Sequence, residues 1–95
     1  MKIIVLDRIE ERHPEVTKED AARAWASSVA RMPDFSKGNP ERYIGIGFDN
    51  KGREIEVVAV RKSIDTWVVI HAQTPAKVDI KRKLGLLGQK NERAR

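Results

Sequence analysis

A chain of 95 residues with 40% apolar and 35% charged side chains has room for one modest hydrophobic core, and its apolar residues cluster too periodically for a disordered polymer. The absence of cysteine excludes disulfides and thiolate metal sites. No apolar run approaches the ~20 residues needed to cross a bilayer, and Met1–Leu6 is too short for a signal peptide, so a cytoplasmic protein without a membrane partner is expected.

The formal charge of +5 is unevenly placed. Residues 1–75 hold 12 Lys/Arg against 12 Asp/Glu, whereas residues 76–95 hold 7 Lys/Arg against 2 Asp/Glu. Clustered cations gain affinity for polyanions by releasing counterions, which favours a nucleic acid or an acidic protein segment as partner.

In chain order, Lys2–Leu6 (KIIVL) reads as a first strand, and its unbroken apolar run suggests burial on both faces. Asp7 is a possible N-cap for one or two helical turns over Arg8–Arg12, before Pro14 disfavours helix at His13. Thr17-Lys-Glu-Asp20 has the form of a capped start with acidic residues in the first turn. Ala21, Ala22, Trp25, Val29 and Met32 then recur at spacings of three and four, predicting a helix to about Met32, anchored by Trp25 and stopped by Pro33. Asp34–Glu41 has loop composition, and a loop of this length before a sheet often lines a site.

The stretch Arg42–Pro75 reads as three strands joined by two turns. In the first, Ile44, Ile46 and Phe48 alternate with Tyr43, Gly45 and Gly47, which predicts a bulky face for the helices and a bare one. Two glycines at i and i+2 mean that something approaches the backbone, either a ligand or the protein's own helix. Asp49-Asn-Lys-Gly52 is a turn leading into Arg53–Arg61, where Glu54 and Glu56 face one side and Ile55, Val57 and Ala59 the other. After a Lys62–Asp65 turn, Thr66–Ala72 places Trp67, Val69 and His71 together. Thr74-Pro75 reads as the start of a closing helix to Leu84, with Gly85 as its C-cap. Residues 1–87 are expected to form one α+β domain of β-α-α-β-β-β-α order, a small mostly antiparallel sheet with helices packed on one face. Residues 88–95 are expected to be a basic, disordered tail.

Among residues that carry chemistry, His71 at a strand end can exchange protons near neutral pH. Glu54 and Glu56 are an i, i+2 carboxylate pair able to assist a base or hold magnesium, although such pairs are often only the wet face of a strand. Arg42, Arg53 and Arg61 sit at strand ends, where they can converge on a phosphate. Lys77, Lys81, Arg82 and Lys83 form a basic closing helix. With two histidines and no cysteine, a zinc site is not expected, and no P-loop, nucleophile elbow or dinucleotide-binding motif is present.

Arg12-His13 followed by Val16-Thr-Lys-Glu-Asp-Ala21-Ala22, an arginine entering an Ile-Gly-Ile-Gly strand, Gly52-Arg53 at the turn and an apolar strand ending in His71-Ala72 together resemble the BrnT-type toxins of the RelE-like superfamily. The likeness spans about residues 7 to 84 at the level of spacing. It implies a compact α+β domain that cleaves RNA without a metal or other cofactor and is neutralised by a cognate antitoxin. On matching positions, His13 falls where the pattern has a histidine and Arg53 where it has a Gly-Arg turn, whereas His71-Ala72-Gln73 stands where the family reads Ser-Ala-Arg. The residue chemistry is compatible with that class, and the site expected from strand-end placement is His71, Glu54, Glu56, Arg53 and Arg61 for catalysis, with Arg42, Lys77, Lys81, Arg82, Lys83 and His13 binding RNA. Two alternatives stay open: a non-catalytic module that binds nucleic acid or protein through the basic C-terminal helix, and an interaction domain whose sheet edge accepts a partner strand.

Overall fold

A computed structural model describes residues 1–86; the expected disordered tail lies outside the described residues. Strand β1 (Lys2–Val5) leads through α1 (Arg8–Arg12) to α2 (Lys18–Ala26), β2 (Ala30–Pro33) and a 3-10 turn at Phe35–Lys37. Then come β3 (Arg42–Phe48), β4 (Glu54–Ser63), β5 (Thr66–Gln73) and α3 (Val78–Lys83). The strands form one mixed open sheet in the order β1-β5-β4-β3-β2, with β1 parallel to β5 and the other pairs antiparallel. The fold is thus α+β as expected, with one more strand than the sequence suggested.

Helix α2 begins as the sequence predicts. Thr17 Oγ1 accepts from the Asp20 amide and Asp20 Oδ2 accepts from the Thr17 amide, both at 3.0 Å, a reciprocal capping box. Its end differs from expectation. Ser27 Oγ donates to the Arg23 carbonyl and Ser28 Oγ to the Trp25 carbonyl, a back-bonding that competes with helix continuation. The chain leaves the helix and Ala30–Pro33 pairs antiparallel with β3 instead. Val29, expected in the apolar stripe, is 60% exposed, while Ala21, Ala24 and Trp25 are buried. Burial of the Trp25 ring contributes roughly 4–6 kcal/mol of transfer free energy.

The two faces of β3 are the reverse of the expectation. The glycine face, not the bulky one, receives α2: a Cβ on Gly47 would lie 1.9 Å from the Ala24 carbonyl oxygen, and one on Gly45 3.2 Å from the Trp25 ring. The two glycines are therefore the floor on which α2 lies, and the core forms there from Ile9, Val16, Ala21, Ala24, Trp25, Ile55, Val57, Ala59, Val69 and Ala72. Ile44, Ile46 and Glu56 belong to the opposite face. Helix α3 lies on that second face, so the helices are not confined to one side.

Two further expectations are corrected. Strand β1 is an edge strand with Ile4 41% exposed, so its apolar run is not buried on both faces. The Thr74 hydroxyl donates to the Glu54 carbonyl at 2.6 Å rather than capping a helix, and α3 starts only at Val78. Its end is as expected. Gly85 has φ 75°, with Gly85 N donating to Arg82 O and Leu86 N to Lys81 O, which is a Schellman closure. Among the described residues no helix is long and apolar enough to cross a membrane.

Candidate functional site

The second face of the sheet carries a cleft of about 540 Å³. Its floor is Ile44 of β3, Glu56 and Val58 of β4, and Ile70 and His71 of β5. One wall is Met32 with the Pro33–Lys37 turn and Arg42; the other is Lys77, Ile80 and Lys83 from α3, with Arg8 and Arg12 of α1 at the end.

His71 reaches this floor because of a bulge. Val58 pairs with His71 and Ala59 with Val69, leaving Ile70 as an extra residue in β5. A bulge reverses the alternation beyond it, so Val69 and Ala72 face the core while His71 faces the cleft, contrary to the expected grouping of Val69 with His71. Arg8 Nη2 donates to the Ile70 carbonyl at 3.4 Å, which helps satisfy the bulged backbone.

Glu56 is 1% exposed and is the charged centre of the floor. Its Oε1 accepts from the Lys77 backbone amide at 2.9 Å. Its Oε2 lies 3.4 Å from both His71 Nε2 and Lys77 Nζ. Burial favours the neutral acid, but the imidazole, the amide and the ammonium outweigh it and hold this carboxyl below the ordinary glutamate range. The His71 contact is an ion-pair separation rather than an aligned hydrogen bond, and Nε2 is buried without any other partner. Since the His71 side chain is 29% exposed, its access to the cleft comes from the remaining ring atoms. In the neutral imidazole that carries its proton on Nε2, the lone pair is on Nδ1.

The two histidines, distant in sequence, meet in space. The His13 ring stands edge-on to His71 with centroids 5.9 Å apart, and His13 Nδ1 lies 3.6 Å from Glu15 Oε2. Each imidazole thus has a carboxylate beside it.

The cleft is cationic on balance. Arg42 is committed to Asp34, Nε to Oδ2 at 2.8 Å with both side chains largely buried. Burial opposes the Asp34 charge, but bonds from Arg42 and Ser36 prevail and its carboxyl is held below the usual value. Arg8, Arg12, Lys37 and Lys83 have no ion-pair partner among the described residues. Also among the described residues, no group of three or more His, Cys, Asp or Glu side chains is placed to hold a metal ion.

The expected site residues divide accordingly. His71, Glu56, Lys77, Lys83 and Arg42 share the cleft, and His13 adjoins it. Glu54 borders it, accepting from the Ala76 amide and pairing with Lys81 at 3.2 Å. Arg82 is on the exposed side of α3. The expected convergence of strand-end arginines does not occur. Arg53 binds Asp49 Oδ2 at 2.6 Å and Asp20 Oδ2 at 3.2 Å, tying the β3–β4 turn to α2. Arg61 is exposed, with its Nε donating to the Ser63 carbonyl. Arg8 and Arg12 join the cleft without being among the expected residues, and their i, i+4 spacing about the buried Ile9, which puts them on one helix face, is the sequence signal for them.

Comparison of the chain with protein-family models, with curated proteins and with solved structures gave no match.

Proposed function

We propose that this chain is a metal-independent endoribonuclease of the RelE-like toxin kind, acting in the cytoplasm and neutralised by a cognate antitoxin. The observation that carries the chemistry is the His71–Glu56–Lys77 cluster on the floor of a cation-lined cleft; the biological setting rests on the resemblance to BrnT-type toxins.

In this reading His71 Nδ1 takes the proton from a ribose 2′-hydroxyl as its oxygen attacks the adjacent phosphorus. Glu56 fixes the ring and stabilises the imidazolium that forms. Lys77, Lys83, Arg8 and Arg12 meet the charge that grows on the phosphoryl oxygens. Protonated His13, beside Glu15, returns a proton to the departing 5′-oxygen. The products are a 2′,3′-cyclic phosphate and a 5′-hydroxyl, and solvent restores both histidines. Arg53 and Arg61 have no part in these steps.

A second reading, a binding module without catalysis, is favoured by the full engagement of Glu56 with the Lys77 amide, the Lys77 ammonium and the His71 imidazole, a pattern that structural networks share. Induced expression of the full chain separates them. The toxin reading predicts growth arrest with RNA fragmentation, both relieved by His71→Ala and retained in Arg53→Ala. Growth arrest with intact RNA would contradict it.

A further inference from the structure

We propose that Phe35 is a stacking platform for a nucleobase of single-stranded RNA entering the cleft, an inference that rests on the RNA reading above. Phe35 lines the cleft yet is 76% exposed. Trp25, Trp67 and Tyr43 pack on one another in the helix-covered half of the molecule.

The turn that carries Phe35 is tied down on both sides. Asp34 Oδ1 accepts from the Ser36 amide at 3.1 Å and from Ser36 Oγ at 2.6 Å, while Oδ2 holds Arg42. The Asp34 amide donates to the Arg42 carbonyl at 2.8 Å, and Gly38, at φ 72°, closes the turn onto the Phe35 carbonyl at 3.1 Å. These bonds hold an apolar ring in water instead of letting the loop fold it inward. The exposed Ile64 and Val29 do not line the cleft, but Phe35 does, in company with Lys37, Arg12 and Lys83. An aromatic face set among cations that track a backbone is how proteins hold single-stranded nucleic acid, because every base has a π-face.

The test measures equilibrium binding of the full chain to two probes that lack the attacking hydroxyl: a short 2′-O-methyl oligonucleotide and the same backbone with abasic positions. Phe35→Ala is expected to weaken binding of the base-containing probe by roughly five- to a hundredfold. It should leave the abasic probe and the thermal midpoint unchanged, and Phe35→Trp should restore binding. Equal affinity of wild type and Phe35→Ala for the base-containing probe would overturn the stacking role while leaving the cationic cleft intact. Failure of the wild type to bind either probe would overturn the RNA reading together with it. Loss of the fold in Phe35→Ala would show a structural residue and overturn the proposal as well.

Discussion

His71 Nε2 lies 3.4 Å from Glu56 Oε2, and Glu56 is in turn bonded to the first residue before α3. One buried carboxylate therefore joins β4, β5 and the closing helix. Glu56→Gln is expected to lower stability by about 1–2 kcal/mol, because the glutamine carbonyl can still accept from the Lys77 amide and the half-exposed Lys77 ammonium rehydrates, while the buried His71 Nε2 loses its charged neighbour. Urea unfolding at neutral pH measures it.

The same carboxylate gives a pH dependence. Glu56 and Asp34 are held below their ordinary values of 4.5 and 3.8, so both bind protons more weakly in the folded chain than in the unfolded one. Their stabilisation is present above those ordinary values and lost as pH falls through the lowered folded-state values. Unfolding free energy should thus drop steeply below about pH 4, and less steeply in Glu56→Gln.

Gly47→Ala should be strongly destabilising. Its Cβ would meet the Ala24 backbone carbonyl at 1.9 Å, so α2 must lift from the sheet, whereas at Gly45 the contacts are 3.0–3.2 Å and include the movable Arg31 side chain. A loss of about 3 kcal/mol or more is expected for Gly47→Ala and roughly 1 kcal/mol for Gly45→Ala. Denaturant titration of both variants gives the order.

How much of this was legible in the sequence follows from which residues act locally. The Thr17 cap, the Asp49–Gly52 turn and the Gly85 closure rest on contacts within a few residues, and each stands where its local chemistry puts it. The Ile70 bulge does not, since it exists only in the pairing of β5 with β4, and without it His71 reads as facing the core. The spacing of Val29 and Met32 continued a helical period that Ser27 and Ser28 had already ended. The glycine pair marks a close approach to the backbone, but only the packed helix shows that the approach comes from Ala24 and so places the cleft on the other face.

Arg53 separates structure from chemistry. Its bonds to Asp49 and Asp20 predict that Arg53→Ala lowers the melting temperature by several degrees and leaves RNA cleavage per folded molecule unchanged. Thermal unfolding and a cleavage assay on the same preparation check both halves.

Arg12 and Lys83 are expected to act on RNA affinity through charge alone. Removing both should reduce the slope of log K against log salt by roughly 1.4, about 0.7 for each phosphate contact on a single strand. Binding titrations at several salt concentrations read this directly.

The central claim is that His71, set by Glu56, abstracts the 2′-hydroxyl proton. Its most direct measurement is cleavage of a labelled RNA by the purified full chain in the presence of a chelator, with analysis of the product ends. The expected result is 2′,3′-cyclic phosphate ends and a rate about 10²–10⁴-fold lower in folded His71→Ala. Intact RNA with the wild type, or an undiminished rate in His71→Ala, would contradict it.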